Sequence, residues 1–288
     1  MFSGTSRLMT ASEYLAHAYE IPSTWPDLPM EDEAFVASWK EAKGEEVLFF
    51  LGEVLGLDVK RFSWENREGL SIAFARTLGG KLPVLSMAAH CDFRQMEALL
   101  NGREAAEELP LTVNAFALVA KAERIARHRV LLLNWAPYSN IPAERLGLSE
   151  EDWLERSYRL RLAHECAHYE TLRLLGGMRN HALDEILADA LGQIAAFGEF
   201  DADRQRLFFG IAGDRDTCTG RLSFYCRKVL PEERSRIYHA VDVVLDPMAE
   251  ALRELSARNA AKTKILAFLA GTSIAERLEL YRKSEEDQ

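Results

Sequence analysis

The chain has 288 residues, 48% of them hydrophobic and 28% charged, with a formal net charge of −10. That length buries a sizeable core, as one large domain or two modest ones. The acidic balance disfavours wholesale nucleic-acid binding, which shows a basic excess, and no window of 18 or more apolar residues marks a membrane span. Residues 1–7 lack the apolar core of a secretory signal, so a cytoplasmic location is expected. Cys91, Cys166, Cys218 and Cys226 show no C-x-x-C spacing and read as free thiols.

Thr10 and Glu13 form a capping-box pattern that predicts a short helix over 10–20. Helices follow over 31–43 and 45–55. The period then changes. Residues 59–64 and 70–76, either side of Glu65-Asn66-Arg67-Glu68-Gly69, predict a hairpin. A strand is expected over 81–87, helices over 92–100 and 113–127, and a buried strand over 129–134. Residues 137–142 read as a loop. Residues 1–148 thus form a mixed α/β subdomain with a small sheet, and 149–288 a nearly all-helical one. The fold class is α+β.

The second half opens on a long helix. Ser149 is its N-cap, Glu150, Glu151 and Asp152 fill its first turn, and Gly176-Gly177 stops it. Its densest basic run, Arg156 to Arg161, reads as the exposed face. Deep inside lies His164-Glu165-Cys166-Ala167-His168, an H-E-x-x-H pattern. Residues i and i+4 of a helix differ by about 40° in azimuth and about 6 Å in height. His164 and His168 can therefore offer two nitrogens to one cation. Glu165, about 100° round the helix, sits beside that cation and can take a proton from its water. Cys166 should point away, into packing. Chance histidines on an exposed helix would need none of this, but the apolar neighbours on both sides argue for burial and hence for partners.

Asn180 is the expected N-cap of the next helix, His181 to Phe197. In it, Glu185 and Asp189 are again one turn apart, among Ile186, Leu187, Ala188 and Leu191. Glu185 can complete a three-ligand zinc site. Asp189 can accept from the far nitrogen of a ligand histidine and so fix its tautomer. A short link between the helices favours antiparallel packing.

These two motifs together resemble the gluzincin metallopeptidases. The resemblance covers about 30 residues and is specific for the site. It implies one Zn2+ per chain on His164, His168 and Glu185, Glu165 as general base, and Asp189 behind a ligand histidine. It also implies a zincin-like fold, with a small sheet above the site helix whose edge strand pairs with an extended peptide or protein substrate. A metzincin site is excluded, because it would need Gly at Thr171 and His at Leu174. A di-iron helical protein would need a second Glu-x-x-His, which the sequence lacks.

No motif marks an oxyanion donor. His181, Tyr225 and His239 are the candidates for substrate or oxyanion contacts; His181 is also a candidate fourth ligand, but reads first as a helix-start residue. Further helices are expected over 231–256 and 260–284. The function this supports is a zinc-dependent hydrolase, most readily a peptidase. The alternative is a catalytically inactive zincin-like module that binds metal for structure or regulation.

Overall fold

The computed structural model describes residues 7–42, 46–213 and 217–286. The first elements are α1 (Ala11–Leu15), α2 (Val36–Trp39), α3 (Val47–Phe49), β1 (Ser71–Thr77), β2 (Gly80–Met87) and α4 (His90–Leu100). Then come β3 (Ala115–Val119), β4 (Arg129–Asn134), α5 (Glu150–Leu175), α6 (Ala182–Phe197) and α7 (Ala202–Phe209). The last are α8 (Leu222–Tyr225), α9 (Arg234–Ala257), α10 (Lys262–Ala270) and α11 (Ile274–Glu286). The class is α+β. Among the described residues no helix is long and apolar enough to cross a membrane, and all four cysteines are free.

The chain divides into two compact units, Thr24–Gly176 and Met1–Ser23 with Gly177–Gln288. The boundary expected at 148/149 falls inside the first of these. Helix α5 therefore belongs with the sheet, and the two sequence motifs belong to different units.

In the Thr24–Gly176 unit, a four-stranded sheet runs in the order β1-β2-β4-β3. β1 and β2 are antiparallel, β2 and β4 parallel, and β3 and β4 antiparallel. The parallel pair needs a crossover, and α4 lies within it. Both central strands are buried on two faces, which is why they read as unbroken apolar runs. One face sends Leu85, Met87, Val130 and Leu132 into a core with Phe93, Met96 and Leu100. The other sends Ala75, Leu82, Val84, Leu131 and Leu133 against Cys166 and Tyr169 of α5.

Several expectations are corrected here. No hairpin joins 59–64 to 70–76. Val59–Arg61 is a 3-10 turn, and the buried Asp92 carboxylate accepts the main-chain N–H groups of Glu65 and Asn66, each at 2.8 Å. Those donors are thus taken, and β1 pairs with β2 instead. The helix expected over 113–127 is β3 followed by a 3-10 turn, Glu123–Ile125. Its Ala and Leu residues favour a helix, but pairing with β4 overrides that preference. The early helices are short. α2 continues only as a 3-10 turn to Ala42, and α3 continues as a π turn, Phe50–Val54; the expected start at Glu45 lies outside the described residues.

In the other unit, Thr10 caps α1 with Glu13 completing the box, as expected. The helix expected over 260–284 is two helices, α10 and α11. Ser273 and Glu276 cap the second reciprocally, the Ser273 hydroxyl accepting from Glu276 N at 3.1 Å and Glu276 Oε2 accepting from Ser273 N at 2.8 Å.

The β1–β2 turn needs glycine. Gly80 has φ +104°, and an added Cβ would lie 3.1 Å from the Glu31 carbonyl oxygen and 3.3 Å from Asp32 Cα. Gly80→Ala is therefore expected to cost about 2 kcal/mol, read as a lower urea midpoint with an unchanged slope.

Candidate metal centre

Helix α5 runs from its Ser149 cap, whose hydroxyl accepts from Asp152 N at 3.1 Å, to Gly176 in the left-handed conformation. His164 and His168 are 5% and 4% exposed, and their Nε2 atoms stand 3.0 Å apart. That approach requires at least one lone pair facing inward. The two rings meet edge to face, with an interplanar angle of 86°. Glu165 is half-buried beside them. Cys166 packs toward the sheet, as its place on the helix predicts.

The structure adds residues that the sequence did not single out. The Tyr138 hydroxyl meets His164 Nδ1 at 3.0 Å. Tyr138 follows β4 in a segment laid along α5. Trp153 Nε1 donates to the Ile141 carbonyl at 2.7 Å, and Ser157 Oγ accepts from Tyr138 N at 2.9 Å. Arg161 is not on an exposed face. It is 4% exposed, and its guanidinium donates to the carbonyls of Asn134, Ala136 and Pro137 at 3.1–3.3 Å. Trp153, Ser157, Arg161, His164 and His168 recur at spacings of three and four, so they form one buried stripe. That spacing was the available signal.

On α6, Glu185 and Asp189 are both buried. Tyr225 is hydrogen-bonded to Glu185, and its hydroxyl is held well above the usual phenol range, first by burial and then by that carboxylate. Asp189 Oδ2 accepts from Gln205 Nε2 at 2.7 Å and from the Arg221 guanidinium. His239 is exposed on α9, in a groove with Leu15, Arg236 and Tyr281. Of the three candidate contacts, Tyr225 is thus brought to a candidate ligand.

His181 has another task. It, not Asn180, is the N-cap of α6, its Nδ1 accepting from Leu183 N at 3.0 Å. Its Nε2 donates to the Tyr14 carbonyl at 2.9 Å, and the ring stacks on Tyr14. Both nitrogens are spent, which removes it as a fourth ligand or oxyanion donor. His17, His181 and Asp184 do offer ligand atoms within 4.8 Å of one another. Counting protons argues against a cation there. The Arg179 guanidinium can only donate, so it fills the lone pair of His17 Nδ1 at 3.1 Å. His17 Nε2 then carries a proton toward Asp184 Oδ2, 3.5 Å away. Asp184 also accepts from Arg179 N at 3.0 Å and from the Tyr19 hydroxyl. Burial works to raise its pKa, but these donors outweigh burial and hold it below the usual carboxylate value.

The described residues therefore include histidine and carboxylate groups able to hold a metal ion. Residues 101–276 match a family of unknown function, DUF7005. The chain belongs to that family. The matched stretch runs from the end of α4 into α11 and includes both motifs. No curated protein and no solved structure matches the chain.

Burial lowers the His181 pKa from 6.5 to about 4, even though its bond to the Tyr14 carbonyl works the other way. The unfolded chain thus takes up this proton first. The stabilisation is complete above pH 6.5 and is lost as pH falls toward 4. The loss is on the order of 3 kcal/mol. His181→Asn keeps a capping side chain without a titrating group, so urea unfolding between pH 7 and pH 4 should show a flatter decline in that variant.

Proposed function

We propose that the chain is a zinc-dependent hydrolase acting on peptide bonds. The observation that carries this is the buried H-E-x-x-H pair, with two imidazole nitrogens 3.0 Å apart. Two nitrogens bound to one tetrahedral zinc are separated by about 3.3 Å, so the donor set fits. On the resemblance of the two sequence motifs, His164, His168 and Glu185 would hold the ion. When bound, zinc supplies Lewis acidity that lets a water lose its proton near neutral pH.

Glu165 is placed by the helix next to both histidines. Its carboxylate takes the proton of the attacking water and passes it to the leaving amine nitrogen. Tyr225 hydrogen-bonds the Glu185 carboxylate and so limits its rotation. Asp189, clamped by Gln205 and Arg221, is the outer acid of the motif. Support for a peptide substrate comes from the sheet that α5 packs against. Its edge strands are β1 and β3, and an edge strand offers main-chain donors and acceptors to an extended chain.

One observation favours the second reading, a metal-binding module without turnover. Tyr138 and Tyr225 are each already bonded to a proposed ligand, so neither hydroxyl is committed to an oxyanion.

Glu165→Gln should retain one zinc per chain and lower kcat at least about 100-fold, while His168→Ala should lose the metal. Elemental analysis with a fluorogenic peptide panel checks both. Normal hydrolysis by the Gln variant would sink the base assignment. A zinc-loaded wild type inert on every peptide would favour the module.

A further inference from the structure

We infer that Tyr138 is a positioning residue for His164, and that Arg161 exists to keep it there. The inference rests on the reading of His164 as a metal ligand. A ligand nitrogen must present a lone pair, so His164 Nε2 must be unprotonated and its ring proton must sit on Nδ1. The Tyr138 oxygen, 3.0 Å from Nδ1, is placed to accept that proton. A phenol can also donate. It therefore stays bonded to Nδ1 when the ring carries its proton on Nε2 and donates to His168 across the 3.0 Å gap. On ion binding the same ring proton moves from Nε2 to Nδ1, so no proton is gained or lost.

The surroundings are built for this placement. Arg161 sits one turn before His164 on the same stripe, and its guanidinium grips the carbonyls of Asn134, Ala136 and Pro137 in the segment that leads to Tyr138. Ser157 holds the Tyr138 N–H from below. Immediately after Tyr138 the backbone passes through the left-handed region twice, at Ser139 (φ 51°) and Asn140 (φ 55°). Asn accepts this conformation more readily than Ser does. Such backbone persists only where the surroundings over-determine it, and here Arg161, Ser157 and Trp153 do so.

The test uses the full chain stripped of metal and titrated with zinc against a chromophoric chelator, together with ring 1H–15N correlations of labelled histidines. Wild type should bind one zinc with His164 in the Nδ1–H form. Tyr138→Phe should keep the stoichiometry, weaken binding about tenfold and leave His164 as a mixture of tautomers. Tyr158→Phe removes a hydroxyl on the same helix that instead bonds Ser86, and should change neither. An unchanged affinity and tautomer in Tyr138→Phe, or an equal loss in Tyr158→Phe, overturns the inference while leaving the metal reading intact. A wild type that takes up no zinc overturns both. Should Tyr138→Phe fail to fold, the zinc-loaded wild type decides. A protected His164 Nδ1–H is expected, and a freely exchanging one overturns the assignment.

Discussion

Two imidazole nitrogens face each other at 3.0 Å on the buried side of α5, and the surrounding structure is organised to tolerate that. A polar group removed from water costs several kcal/mol when it lacks a partner. The helix therefore divides its surface. One face is apolar and settles on the sheet through Cys166 and Tyr169. The other carries polar groups from Trp153 to His168, and the segment after β4 folds over it to supply carbonyls and hydroxyls. The sheet is as much a consequence of this division as a scaffold for it. A helix with one dry face and one hydrogen-bonding face must be clad on both sides.

That division explains which parts of the fold were legible. Helix α5 announces both its ends, because Ser149 and Gly176 act through their own local chemistry. β2 and β4 are legible because burial on both faces leaves an unbroken apolar run. β3 is not, because an edge strand made of Ala-Phe-Ala-Leu-Val looks helical until a neighbour claims its main chain. The false hairpin has the same origin. Asp92 takes the two N–H groups at the supposed turn from 26 and 27 residues away in sequence, and no local pattern reports so distant an acceptor. The break between α10 and α11 was legible in principle, since Ser273 and Glu276 spell a capping box. The longer apolar periodicity masked it.

The candidate site divides the same way. Its ligands were legible because helical spacing of i and i+4 is set by geometry alone. The residues that hold those ligands were not. Arg161 belongs by composition to a basic run that reads as solvated, yet it is buried against main-chain carbonyls. A buried guanidinium has five donors to satisfy, and a chain segment with several carbonyls turned one way is an economical way to satisfy them. Tyr138 lies in a loop bracketed by Pro137 and Pro142, where periodicity says nothing.

The two histidine groups of this chain show why closeness of ligand atoms is a weaker criterion than their proton inventory. His17, His181 and Asp184 are close enough to hold an ion. Yet Arg179 occupies one nitrogen of His17, while His181 caps α6 with Nδ1 and donates from Nε2 to the Tyr14 carbonyl. The histidine lone pairs that a cation would need, on His17 Nδ1 and His181 Nδ1, are thus already accepting hydrogen bonds. His164 differs in the character of its partner. A tyrosine hydroxyl can either donate or accept a hydrogen bond, so the inward lone pair can be surrendered to an ion without breaking the outer hydrogen bond. Where a histidine is backed by a fixed donor, the fold has chosen its tautomer for structure. Where it is backed by an amphoteric group, the tautomer is left for a ligand to choose.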